Sequence, residues 1–256
     1  MRAAPPRRAT LLSSAPSSRS KPVAGRAASP GPRALSAQAT REAILRAATE
    51  IFARDGFAGG RVEQISKAAQ SHDRMIYYYF GSKQGLFTAV LEDVYRQFNA
   101  AESELALDAE QPVAALTTVI GFVWRYYQQH PEFITLLNTE NQLRGQHIAA
   151  SPGMRDYSSP VLAITDQVLH SGVAQGVFRG DVSARDVYLM IAALGYFYLS
   201  NRFTLSSFLG EDLQAPAALA HWETFIIDAV LRTVAASAPQ RHPNPEEIDH
   251  GRHGSG

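Results

Sequence analysis

The chain has no cysteine. Disulfides, thiolate metal sites and a cysteine nucleophile are therefore excluded, and such a composition suits a reducing cytoplasm, where we expect the protein. It also lacks any apolar run of the roughly 20 residues that a bilayer-spanning helix needs. The longest, "YLMIAALGYFYLSNRF" from Tyr188 to Phe203, is interrupted by polar side chains near its end. It reads as a buried or interface helix, with no membrane partner. No G-x-S-x-G, P-loop, H-E-x-x-H or dinucleotide-binding glycine fingerprint occurs, so the common signatures of enzymatic chemistry are missing. "GFAGG" is a loop between helices with no strand before it. His242, His250 and His253 stand in a Pro/Gly-rich tail without fixed geometry, so neither a metal nor a cofactor is expected. The adjacent acids Glu92-Asp93 and Glu211-Asp212 read as solvent-facing groups or helix ends. An enzyme is not expected; it survives only as a helical domain that turns over what it binds.

Net charge is also absent, but only in sum. Residues 1–83 carry 14 Lys/Arg against 5 Asp/Glu, an excess of +9, and the remainder carries 10 against 19, an excess of −9. One end is suited to a polyanion and the other is not.

What is present is 45% apolar composition over 256 residues, enough for one or two ordinary domains. Residues 1–36 hold seven Lys/Arg, no acid, and clusters of Pro, Ser, Ala and Gly. Too few apolar groups offset chain entropy there, and a disordered basic extension is expected. It reads as a passive extension, a basic arm that supplements polyanion binding, or an Arg- and Ser-rich transit peptide; no apolar h-region marks a secretory signal. From Ala37 the pattern becomes helical. Ile44, Leu45, Ala48, Ile51 and Phe52 share one face of a first helix, about Gln38 to Asp55, with Gly56 suited to its end. Val62, Ile65 and Ala69 mark a short second helix, and Asp73 opens a third running to Tyr79. From Lys83 a longer helix buries Leu86, Phe87, Val90, Leu91, Val94 and Phe98. Further helices are expected near Pro112–Gln129, Pro131–Arg144, Tyr157–Gln175, Ala184–Ser207 and Pro216–Ala236, with prolines where first-turn prolines are tolerated. No strand-like alternation persists, so the fold is all-α. The tail from 237 to 256 should fray.

In "DRMIYYYF" three consecutive tyrosines, Tyr77, Tyr78 and Tyr79, cannot all enter one core, because helical neighbours point about 100° apart. Two short helices joined by a tight turn and led by a longer one form the plan of a helix-turn-helix unit, whose last helix lies in the major groove. That placement puts Ile76 and Phe80 inward and Asp73, Arg74, Tyr77 and Tyr78 outward. A tyrosine offers its ring to a thymine methyl and its hydroxyl to a phosphate. Lys83, at the start of the next helix, joins an ammonium to a helix N-terminus as a phosphate seat.

The segment "REAILRAATEIFARDGFAGGRVEQISKAAQSHDRMIYYYFGSKQGLF" resembles the N-terminal domain of the TetR family of one-component transcriptional regulators. The likeness runs from about Thr40 to Val94: an alanine-rich first helix ending in Gly-Phe, then Val-x-x-Ile, then Tyr-x-x-Phe-x-x-Lys-x-x-Leu/Phe. The resemblance implies a dimeric, all-helical protein whose paired third helices read a pseudo-palindromic double-stranded DNA operator. By position, Arg74, Met75 and Tyr77 would face base edges, with Asp73 beside them. Tyr78, Tyr79 and Lys83 would meet phosphates, and Arg61 and Glu63 are further candidates near the start of the second helix. Two departures stand out. Ala69-Gln70-Ser71-His72 replaces the usual Ala-Gly-Val-Ser of the turn; a positive φ at Gln70 would cost on the order of 1 kcal/mol. Gly60 stands where a threonine or serine commonly caps the second helix, and the neighbouring Arg61 is the candidate to replace its phosphate contact.

Residues from about Gln111 to Ala236 resemble the family's ligand-binding and dimerisation domain. "HPEFITLLNTENQLRGQHI" resembles, more narrowly, a subgroup linked to catabolism of small nitrogenous or aromatic compounds. Asn138, Asn141 and Arg144 recur at three-residue spacing on an otherwise apolar helix, either as a solvated face or as converging polar groups of a pocket wall. Trp124, Tyr127 and Phe133, with Tyr196, Phe197 and Asn201, are candidate pocket residues whose competing role is core packing. The run Tyr188–Phe203 and the last helix, with Trp222, Phe225, Ile226, Ala229 and Val230, carry surface for a four-helix homodimer interface. We thus expect four segments: an extension (1–36), a helix-turn-helix domain (37–83), a helical ligand-binding and dimerisation domain (84–236) and a tail (237–256). The expected function is a ligand-responsive regulator, a repressor released from its operator by a small organic effector. The alternative is a helical small-molecule sensor without DNA binding, motivated by the Gln70–His72 turn.

Overall fold

A computed structural model describes residues 32–108, 110–155 and 160–236. Among them every regular element is a helix; a lone antiparallel bridge joins Phe178 to Ala235. The expected extension, save its last residues, and the tail lie outside the described residues.

The first helix, α1 (Pro32–Gly59), begins six residues before the expected Gln38 and is broken at Gly56, where φ is 70°. Glycine alone takes that conformation freely, so Gly56 ends the regular helix as its sequence position suggested. The inward set Ile44, Leu45, Ala48, Ile51 and Phe52 is buried. Next come α2 (Val62–Ala68) and α3 (Asp73–Phe80), then α4 (Lys83–Ser103), which runs from the small N-terminal bundle into the larger one. Here Leu86, Phe87, Val90, Leu91, Val94 and Phe98 face inward as the spacing predicted.

The larger bundle contains α5 (Pro112–Gln129), α6 (Pro131–Gln142), α7 (Gln146–Ala150), α8 (Pro152–Arg155), α9 (Pro160–Ala174), α10 (Ala184–Ser200), α11 (Arg202–Leu209) and α12 (Pro216–Val234). Pro112, Pro131 and Pro216 each open a helix. Three differences from the sequence reading have local causes. First, α6 stops at Gln142 because Arg144 takes φ 61°, with its N–H donating to Asn141 O at 3.0 Å and that of Gly145 to Glu140 O at 2.9 Å. Second, the expected helix to Ser207 divides at Asn201, whose Nδ2 donates to Phe197 O at 2.9 Å and closes α10. Third, α7 and α8 are too short to leave a periodic signal. The two bundles share one continuous core, with α1 packed on α2, α4 and α6, and α5 on α9, α10 and α12.

Candidate nucleic-acid interface and ligand cleft

The turn between α2 and α3 is closed by a left-handed residue. Gln70 takes φ 50°. Its N–H donates to Lys67 O at 3.1 Å, and that of Ser71 reaches back to Ser66 O at 2.8 Å. This pair of bonds satisfies the last carbonyls of α2, a role usually given to glycine. The Ser66 hydroxyl also donates to the Asp73 carboxylate, fastening α2 to the first turn of α3. Asp73, a predicted contact residue, stays exposed with its carboxylate accepting this bond from Ser66.

The three tyrosines separate as the helical spacing requires. Ile76 is fully buried, Tyr77 is 52% exposed and Tyr78 77% exposed. Arg74 lies on the same outward side. Tyr79 is half-buried, its ring 5.0 Å from that of Tyr78 and 6.3 Å from that of Phe80. Met75 is likewise half-buried against the core. The outward row of α3 is therefore Arg74, Tyr77 and Tyr78, with Met75 and Tyr79 at its flanks. Beside it Ser66, Lys67, Ser71, His72, Asp73 and Arg74 line an open groove of about 720 Å³. Lys67 and His72 are not among the contact residues named from sequence; their signal is a basic side chain in the last turn of α2 and a polar turn.

Arg61 is exposed just before α2, its N–H donating to Gln64 Oε1 at 3.4 Å, and Glu63 is exposed in the first turn of α2. At the start of α4, the Ser82 hydroxyl accepts from Gly85 N–H at 3.0 Å. Lys83 is half-buried: Nζ donates to Ala58 O at 3.3 Å and sits 4.9 Å from the centre of the Phe57 ring. Partial burial lowers its pKa below the usual lysine value, while the Glu63 carboxylate pulls it up. The ammonium thus has an internal seat at the end of α1, and Glu63 acts on it as a neighbouring charge.

In the larger bundle, a cleft of about 300 Å³ opens between α4, α5, α6 and α10. Its walls include Tyr95, Tyr127, Phe133, Asn141, Tyr188 and Tyr196, with no charged side chain among the residues that line it. Burial, reinforced by the neighbouring phenols, pushes the Tyr95 hydroxyl up to about 12 and the Tyr127 hydroxyl further still. Both are neutral donors at physiological pH. Asn138 stands behind the wall: its Oδ1 accepts from the Tyr196 hydroxyl and, at 3.0 Å, from Ser200 Oγ. Of the predicted pocket residues, Tyr127, Phe133, Asn141 and Tyr196 converge here.

Four others do not. Trp124 is core, packed edge-on against Tyr198 with ring centres 5.5 Å apart. Arg144 is exposed in the left-handed turn after α6. Asn201 is spent on capping α10. Phe197, 59% exposed, lines a separate cleft of about 450 Å³ with Tyr198, Leu205, Leu213 and Trp222. A three-residue spacing placed Arg144 beside Asn141 only if the helix continued, and it does not. Tyr95 and Tyr188, which the sequence reading missed, sit on helices whose apolar periodicity marked them as core.

Residues 44–90 match the family model described as bacterial regulatory proteins, tetR family, and residues 112–230 match the tetracyclin repressor-like C-terminal domain. The chain is also similar to the HTH-type transcriptional repressor NicS of Pseudomonas putida, 50% identical over 202 residues that span 79% of this chain and 95% of that protein. The chain belongs to the TetR family. It is a DNA-binding transcriptional regulator with an N-terminal helix-turn-helix domain and a C-terminal helical domain. This TetR-family chain is further similar to the HTH-type transcriptional repressor SCO4008 of Streptomyces coelicolor, 30% identical over 61% of this chain and 77% of that protein. Its fold matches that of the fatty acid degradation regulator FadR from Bacillus halodurans, at TM-score 0.57 and 17% identity over 84% of this chain and 100% of that one. The family is one of regulators, not of enzymes. Among the described residues no helix is long and apolar enough to cross a membrane.

Proposed function

We propose that the chain is a homodimeric repressor that binds a pseudo-palindromic operator and leaves it when a small organic effector enters the cleft between α4, α5, α6 and α10. The observation that carries the reading is the exposed row Arg74, Tyr77 and Tyr78, raised from the protein by the buried Ile76 beneath it. Phosphate contacts from Lys83, Tyr78, Arg61 and the flanking Lys67 position the helix, and Arg74 and Tyr77 reach base edges. The repressor named at 50% identity supports the sign of regulation.

Two copies meet through α10 and α12, which leave Leu189, Phe197 and Phe225 exposed beside their shared packing. Paired with the same helices of a second copy they form a four-helix interface. Effector release works through α4, which carries Tyr95 in the cleft and Lys83 at its first residue. Those twelve positions span about 18 Å of helix, so a small tilt at Tyr95 moves the DNA-binding unit. Recognition helices matched to half-sites about 34 Å apart then lose register. The effector's leverage is its preference for the tilted state.

Selection of bound duplexes from a random pool by the purified protein tests the reading. A two-fold symmetric winner whose affinity falls steeply with salt supports it; no enrichment at low salt overturns it.

A further inference from the structure

The core contains a buried, hydrogen-bonded Glu140–His147 pair that neither the operator surface nor the cleft uses. Glu140, 2% exposed on α6, accepts three hydrogen bonds: from His147 N–H at 2.7 Å, from Ile148 N–H at 3.0 Å and from His147 Nδ1 at 2.8 Å. A carboxylate sealed from water with three donors is costly to displace. The first turn of α7 must therefore follow α6. On its other side the His147 ring lies against Phe57, 5.1 Å between centres, and Phe87, 5.0 Å. Phe57 is the platform under Lys83 Nζ, and the adjacent residue supplies the carbonyl that Lys83 binds. Glu140 itself is flanked by cleft residues, with Leu137 one turn earlier and Asn141 next to it.

We propose that Glu140 and His147 are positioning residues that set Lys83 for phosphate through Phe57, and so tie the cleft wall on α6 to the DNA backbone contact. The proposal rests on the reading of Lys83 as a phosphate contact. The route is separate from the tilt of α4: it enters the DNA-binding unit at the end of α1, where the Gly56 break leaves Phe57 outside the regular helix. With His147 in place, Phe57 holds the ammonium at one point. With the tie cut, Phe57 and the last turn of α1 lose their outer support, and Lys83 samples positions away from the phosphate.

The test uses the full chain and its selected operator duplex, with a random duplex alongside, and measures affinity across a salt series. Lys83→Met comes first, since it keeps a long apolar stem over Phe57 and removes the charge. It should reduce the steepness of log affinity against log salt by about 1.8 on both duplexes, about 0.9 for the lysine of each copy. Glu140→Gln and His147→Leu should each lower the slope toward the same value, and neither should change it further when combined with Lys83→Met. A purely structural role would reduce melting temperature and active fraction and leave the slope alone. Thermal melting confirms folding; His147→Leu, which keeps an apolar group between Phe57 and Phe87, carries the test if Glu140→Gln unfolds. Wild-type slopes in the folded variants, or a further fall in the Lys83→Met background, overturn the proposal while leaving the phosphate reading intact. A wild-type slope for Lys83→Met overturns both.

Discussion

The backbone of Gly60 lies beneath the ring of Phe52, so closely that a Cβ on Gly60 would stand 2.5 Å from Cδ1 and 2.7 Å from Cε1. Phe52 is fully buried where α1 meets α2, so it cannot swing aside without disturbing the core of the DNA-binding unit. The absence of a threonine or serine here is thus a packing requirement. Gly60→Thr should destabilise the protein by about 1–3 kcal/mol, as overpacking does, with no cap gained in return, because Arg61 and not Gly60 is the N-cap of α2. Urea denaturation measures it; a stabilised variant would show that Phe52 yields.

Gln70 occupies a left-handed position that costs an L-residue about 1–2 kcal/mol. Gln70→Gly should stabilise the protein by about 1 kcal/mol, a rise in Tm of about 2–4 °C, and leave operator preference unchanged. A fall in Tm would mean that the glutamine side chain contributes something its backbone geometry does not show.

Arg74 is exposed at the second position of α3. Arg74→Ala should relax base choice at one position in each half-site, losing about 1–3 kcal/mol of discrimination there. Duplex selection repeated with the variant should return the wild-type sequence elsewhere. A uniform loss across all positions would place Arg74 on phosphate.

Phe197 on α10 and Phe225 on α12 are exposed apolar rings in the single chain. Phe197→Glu together with Phe225→Glu puts like charges on both sides of the proposed four-helix contact. Light scattering should report half the wild-type mass with helix content retained. A doubled mass that survives both charges places the dimer contact elsewhere.

Tyr95 titrates at about 12 and Tyr127 higher, raised by burial and then by neighbouring phenols, against about 10 in an unfolded chain. The unfolded state releases these protons first. The stability from neutral buried phenols is therefore complete below about pH 10, then falls by about 1.4 kcal/mol per pH unit per tyrosine toward pH 12. Phenolate absorbance should rise for these groups only as helical circular dichroism is lost, and Tyr95→Phe should flatten the decline. Early phenolate formation with intact helices would contradict the burial.

Local pattern alone determined the helical class, most helix starts and the outward row of α3. Those features depend on spacing along the chain: a 3.6-residue period, a proline at a first turn, a glycine at Gly56, three adjacent tyrosines that cannot share a face. The positive φ at Gln70 was raised only through the family resemblance, whose turn carries a glycine at that place. The cleft was half legible. Tyr127, Phe133, Asn141 and Tyr196 were named from polarity and aromaticity, but Arg144 depended on where α6 ended, and Trp124 on which neighbour filled the space beside it. Tyr95 and Tyr188 carried only the apolar periodicity of their helices, and the Glu140–His147 pair carried no local signal. Glu140 reads in sequence as one more polar residue of α6; only the packing of α1, α4, α6 and α7 around it makes its carboxylate a buried acceptor and places His147 between Phe57 and Phe87. Such contacts join residues remote in sequence, so their energies are decided by tertiary packing and leave no periodic trace in the chain.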